Sequence, residues 1–152
     1  MAYISRPDPM YLWALRLLLE RVSWFVDDRG GTDAIVTFAH LKGFRGQKLH
    51  DYRRILETSD GDGIRWSVFD GHPFRIDSPK ATELLQVADT TASALFRAIE
   101  PDRYGNTEPR YLEELAPKLY RGGNGKLTSY GLKTFPREVA EGDGPLAFLC
   151  DL

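Results

Sequence analysis

The sequence predicts an α/β fold in which strands alternate with helices and pair at least partly in parallel. Three observations carry that expectation. Segments 8–28 and 78–100 repeat apolar residues at helical spacing. Segments 34–40 and 64–69 are β-branched and aromatic, as strands are. The order along the chain is helix, strand, helix, strand, helix, helix, and such alternation favours layered packing with parallel pairing. A chain of 152 residues can bury the core of one domain, so 1–152 reads as a single domain with a Gly-rich, basic extension over about 121–152.

Each element has its own signals. The first helix is expected from about Asp8 to Asp28, with Asp8 as cap, Pro9 in the first turn and Gly30-Gly31 as its end. Arg16, Glu20, Ser23 and Asp27 form a narrow polar stripe on it, so the helix is expected to be buried on most sides. "AIVTFAH" (34–40) reads as a strand buried on both faces. "GQKLHDYRRILE" reads as a helix with Leu49, Tyr52, Ile55 and Leu56 on its inner face. After a turn at 60–63, "IRWSVF" (64–69) alternates like a strand, and "FRID" is a short extended piece. The helix at 78–100 is capped by Ser78, with a core stripe of Ala81, Leu84, Leu85, Ala88, Ala92, Leu95, Phe96 and Ile99. A last helix covers 107–120. In the tail, "KLTSYGL" and "LAFLCDL" are candidate strands.

Composition narrows the function classes. A hydrophobic content of 42% with 28% charged residues describes a globular chain rather than a disordered one. The net charge of −2 gives no overall attraction to nucleic acid or acidic lipid, so such a partner needs a local patch. Cys150 is the one cysteine, which excludes an intrachain disulfide and fits a reducing, cytoplasmic setting. "YLWALRLLLERVSWFV" is interrupted by Arg16, Glu20 and Arg21 too often for a membrane span, and no membrane partner is expected.

Two local patches emerge. "LKGFRGQKLH" (41–50) holds Lys42, Arg45 and Lys48 without an acid, with Arg53 and Arg54 beyond. Between Leu115 and Arg137 lie Lys118, Arg121, Lys126, Lys133 and Arg137, again without an acid, and Tyr120, Tyr130 and Phe135 are interspersed. Phosphates would be attracted to both; the plain alternative is two solvated loops that never meet. "GGNGKLTS" (122–129) lacks the Ser or Thr after its lysine and follows a helix, so it reads as a turn rather than a nucleotide-binding P-loop. His40, His50 and His72 have no zinc spacing, although His40 stands at a strand end, where α/β sites are built. Gln86 and Asp89 project side by side at the border of their helix's core stripe. A carboxylate there needs a cation, a backbone donor or a metal; pairing with an arginine or capping a loop is the structural alternative.

"SPKATELLQVADTTASALFRA", together with "PDPMYLWALRLLLERVSWFV", "AIVTFAHLKGF" and "EPRYLEELAPKLY", resembles the prokaryotic family called domain of unknown function 3800, over nearly the whole chain. The resemblance implies a ribonuclease H-like fold, truncated at the N-terminus, in which acidic residues converge on a metal site. It implies Asp89 as a magnesium ligand and Gln86 as its catalytic neighbour. The family's Asp-Glu-Ser-Gly first-strand motif is absent from this chain, which looks like the family's C-terminal portion. Asp89 with Glu20 or Asp70 would then hold at most a weakly bound, hydrated magnesium.

Two functions follow as expectations. One is a nuclease-like, nucleic-acid-binding domain that uses Lys42, Arg45, Lys48, Arg121, Lys126 and Lys133 for the backbone and magnesium at Asp89 for hydrolysis. The other is a non-catalytic binding or inhibitor protein, from a phage or mobile element, that docks on a nucleic-acid-handling defence complex. The apolar first helix and an unpaired sheet edge also suggest a homodimer.

Overall fold

The structure, a computed structural model, describes residues 7–40, 46–59, 61–140 and 146–152. Its elements are α1 (Pro7–Asp28), β1 (Thr37–Ala39), α2 (Gln47–Glu57), β2 (Arg75–Asp77), α3 (Glu83–Ile99) and α4 (Arg110–Leu115), with four short 3₁₀ turns. The architecture is mixed α/β, mostly helical, with a two-stranded parallel sheet. Contacts divide the chain into two compact units, Met1–Thr82 and Glu83–Leu152.

The amino-terminal unit is a strand–helix–strand arrangement packed on α1. Thr37, Phe38 and Ala39 pair with Arg75, Ile76 and Asp77 in parallel register. Leu15 and Leu19 of α1, Leu49 and Leu56 of α2, and Ile64, Val68, Phe69 and Phe74 form one buried cluster. Leu49, Tyr52 and Leu56 pack inward as their spacing requires, but Ile55 is exposed, because it lies about a third of a turn off that line. Arg53 takes the inner position instead. Its guanidinium donates to the carbonyls of His72 at 2.6 Å and Phe69 at 3.1 Å and lies over the rings of Trp66 and Phe74.

The polar stripe of α1 is partly turned inward, with Ser23 fully buried and Asp27 exposed. The Ser23 hydroxyl donates to the Glu20 carbonyl at 2.8 Å and accepts from the Arg65 N–H at 3.1 Å. Trp24 Nε1 donates to the Gly63 carbonyl at 2.8 Å, and Arg65 pairs with Asp27. The stripe is thus a docking line for the 62–65 loop, whose polar main chain needs partners when covered. Gly63 sits at φ +75°, and a Cβ there would lie 2.9 Å from Glu20 Oε1, so glycine is required for both conformation and space. The cap assigned to Asp8 falls outside the described side chains.

Several elements correct the sequence reading. Segment 64–69 is not a strand: Trp66–Phe69 is a 3₁₀ turn. The Asp62 carboxylate, itself buried, accepts from the Ile64 N–H at 3.0 Å and from Trp66 Nε1 at 3.2 Å, bending the chain. The turn buries the neighbours Val68 and Phe69 together, which a strand's alternation forbids. Strand β1 is shorter than 34–40 and only half-buried.

α3 begins at Glu83 rather than Ser78. Asp77 accepts the Ser78 N–H at 2.8 Å and the Thr82 hydroxyl at 2.7 Å, while Ala81 and Thr82 N–H groups donate to the Ser78 carbonyl. These bonds close a separate turn before the helix starts.

In the carboxy-terminal unit, Ala98, Leu112, Leu127, Leu132 and Leu149 form the core. The expected α3 core stripe is covered only in part: Leu95 and Ile99 pack against the core beside the buried Ala94 and Ala98, whereas Leu84 is 76% and Phe96 64% exposed. Small residues let α4 approach closely at the helix's second half. α4 stops at Leu115 and becomes 3₁₀ over Ala116–Lys118, because Pro117 supplies no N–H to continue the helical ladder. Neither tail strand forms: Thr128 and Leu132 share an isolated bridge, and Ala147–Cys150 is a 3₁₀ turn.

Candidate nucleic-acid interface

The tail segment expected to be an open turn forms one wall of a cavity. The main chain reverses at Gly122–Lys126, where the Gly122 N–H donates to the Lys126 carbonyl at 3.1 Å and the Gly125 N–H to the Gly122 carbonyl at 2.8 Å. Asn124 Oδ1 accepts the Lys126 N–H at 3.1 Å. Leu127 and Leu132 insert into the core below and anchor the turn. Gly122 is buried under the ring of Tyr130, where a Cβ would lie 2.3–2.5 Å from ring carbons. Tyr130 in turn meets Tyr120 edge-on, with centroids 5.8 Å apart.

The resulting cavity, about 820 Å³, is lined by Arg121, Lys126, Thr128, Ser129, Tyr130 and Asp151, among others. Arg121 is held by main-chain acceptors: its guanidinium donates to the Gly125 carbonyl at 3.2 Å and to the Leu152 carbonyl at 2.6 Å. Among the described residues no side-chain carboxylate pairs with Arg121 or Lys126. Two cations therefore share one concave surface, Arg121 fixed by main-chain acceptors and Lys126 without a side-chain carboxylate partner among the described residues. Lys118 and Lys133 are exposed elsewhere on the same unit, as is Phe135.

The other basic segment fares differently. Lys42 and Arg45 lie outside the described residues. Lys48 is exposed on α2, Arg54 pairs with Asp51, and Arg53 serves the packing of the amino-terminal unit.

Gln86 and Asp89 stand on the exposed first half of α3. Asp89 is not at a buried border, because the stripe beside it is itself uncovered. Among the described residues no group of three His, Cys, Asp or Glu side chains could hold a metal ion. Of its suggested companions, Glu20 pairs with Arg21 and belongs to the amino-terminal unit, and Asp70 is exposed in that same unit. A single exposed carboxylate does not fit a two-metal phosphodiesterase site, which needs several carboxylates around the ions.

Two residues escaped the sequence reading. Asp151 lines the cavity, but its segment resembled a strand end. Asp77 closes the sheet at its carboxyl edge, where His40 N–H donates to its carbonyl at 2.9 Å. The Thr82 hydroxyl first, and then the Ser78 N–H, hold the Asp77 carboxyl below the usual carboxylate range. The Asp-Ser-Pro sequence was a legible signal for such a turn.

Compared with known proteins, the chain matches no family model, no curated protein and no solved structure. Among the described residues no helix is long and apolar enough to cross a membrane.

Proposed function

We propose that the chain is a nucleic-acid-binding protein of ribonuclease H-like ancestry, and that its carboxy-terminal unit holds the phosphate backbone without hydrolysing it. One observation carries the reading. Segment 115–137 has five basic and no acidic residues in a chain of net charge −2, and two of those cations, Arg121 and Lys126, line one cavity with no side-chain carboxylate partner among the described residues. Arg121 is oriented by its two main-chain acceptors, so it presents a fixed guanidinium edge, whereas Lys126 acts as a mobile point charge. The hydroxyls of Thr128, Ser129 and Thr134 supply neutral donors to phosphate oxygens. Exposed Phe135, close in sequence to Lys133, offers a stacking face for an unpaired base, which favours single strands.

Binding of this kind is read by its salt dependence. A fluorescent single-stranded oligonucleotide titrated at several salt concentrations should give a log–log slope that becomes shallower by about 0.7 for each phosphate contact removed. Lys126→Ala and Lys133→Ala are each expected to remove one such step. Binding that is absent at low salt, or a slope unchanged in both variants, refutes the proposal. The magnesium-dependent nuclease implied by the family resemblance predicts cleavage that disappears in Asp89→Ala, and the same titration run with magnesium present, followed by gel analysis, registers it.

A further inference from the structure

We infer that the cavity beside the Gly122–Lys126 turn takes one ribonucleotide unit, with its phosphate on Arg121 and Lys126 and its ribose hydroxyls on Asp151. The inference deepens the proposed nucleic-acid binding and rests on its reading of Arg121 and Lys126 as phosphate contacts.

Size is the first argument. A cavity of about 820 Å³ lies in the range of sites that enclose a small organic molecule and far exceeds what a lone phosphate group fills. A backbone contact alone would need only a surface.

The chemistry of the wall is the second. Beside the two cations stands Asp151, whose carboxylate accepts no hydrogen bond among the described residues and whose own N–H donates to the Phe148 carbonyl at 3.1 Å. A carboxylate next to a phosphate site is unfavourable for a bare anion. It becomes favourable for a ligand that carries hydroxyl donors a few ångströms from its phosphate, as a ribose does. The free acceptor therefore selects a sugar phosphate over inorganic phosphate. Tyr130, fixed between Gly122 and Tyr120, and the apolar side chains of Leu127, Ala140 and Ala147 add apolar lining suited to a base.

Backbone conformation is the third. Ser129, in the cavity wall, has φ +72°, a left-handed conformation unusual for serine, and is held there as its N–H donates to the Leu132 carbonyl at 2.7 Å. Such conformations concentrate where a ligand site fixes the chain.

The test is calorimetric titration of the full chain at low salt with a ribonucleoside 5′-monophosphate, its 2′-deoxy counterpart and inorganic phosphate, beside a single-stranded oligonucleotide. The ribonucleotide should bind at least about tenfold more tightly than phosphate, the margin of one hydrogen bond to a charged group. Lys126→Ala should weaken every ligand. Asp151→Ala should abolish the preference for ribose and strengthen phosphate, opposite signs that unfolding cannot produce. Phosphate binding as tightly as the ribonucleotide, or a ribose preference that survives Asp151→Ala, overturns the inference. Oligonucleotide binding without mononucleotide binding would overturn it while leaving the proposed function intact. Mononucleotide binding with no oligonucleotide binding would uphold the site and refute the broader reading.

Discussion

The two units solve the problem of covering polar backbone in opposite ways. The amino-terminal unit relies on long-range side-chain contacts to a regular frame: Ser23 on Arg65, Trp24 on Gly63 and Arg53 on the 69–72 carbonyls all join residues far apart in sequence. The carboxy-terminal unit relies on short local turns, 3₁₀ segments and a bent Gly-rich loop that carry their own hydrogen bonds. In the first, polar side chains are used up in holding the fold. In the second, the backbone bonds mostly through local turns, with Asp102, Arg121 and Asn124 adding side-chain partners, and Lys126 and Asp151 are left open to a ligand. The lesson is that charge in a sequence becomes available for binding only where local backbone bonding has not claimed it. Arg53, noted in the sequence only as lying beyond a basic segment, is claimed by the His72 and Phe69 carbonyls, whereas Lys126 is not so held.

The comparison can be broken first at the cores. Leu19→Ala and Leu112→Ala each remove a fully buried side chain, one per unit, and should destabilise their units by about 3 kcal/mol or more in urea unfolding. By contrast, Leu84→Ala on the exposed half of α3 should stay within about 0.5 kcal/mol of wild type. A large loss at Leu84 would show that the first half of α3 is covered in solution.

The docking line on α1 gives the next effect. Ser23→Ala leaves the Arg65 N–H without its acceptor and should cost about 1–3 kcal/mol in the amino-terminal unit. The same measurement on Lys126→Ala should show almost no change in stability, although binding of oligonucleotide weakens. If both variants alter stability alike, the division of duties between the units is wrong.

The smallest effect concerns pH. Because the Asp77 carboxyl is held below its ordinary range, its contribution to stability is present above the unfolded-state value, near about 3.9, and is lost as pH falls through the lower folded value. Thr82→Val removes the largest cause, so the Asp77 titration followed by NMR should move up towards the ordinary carboxylate range. An unmoved titration would mean that the 77–82 turn does not form as described.

What could be read from sequence follows the same division. Apolar periodicity located α1 and α2, and the spacing of Leu49, Tyr52 and Leu56 located the inner face of α2. On α1, however, the expected polar stripe contains the buried Ser23, while Leu18 and Phe25 are exposed. Mixed α/β character and parallel pairing were also legible. Periodicity failed over part of α3, because it identifies an apolar face without saying what covers it, and Leu84 and Phe96 remain exposed. It failed again at 64–69, where the Asp62 side chain outweighs strand propensity, a competition that no alternation pattern records. For the site, the excess of positive charge in 115–137 pointed to the segment that supplies Arg121 and Lys126 to the cavity wall. Segment 122–129 was legible as a turn, but the cavity it walls was not, because a consensus comparison does not report a concave surface. Asp151 was invisible, as its place in the cavity wall follows the 3₁₀ turn at Ala147–Cys150.

Amide mapping by ¹⁵N NMR tests the central claim most directly, with the full chain titrated by a short single-stranded oligoribonucleotide. The account predicts that the largest shifts fall on residues 121–134 and around Asp151, and that Lys126→Ala reduces them. Shifts centred instead on Gln86 and Asp89 of α3, with the Gly-rich turn unmoved, would contradict it.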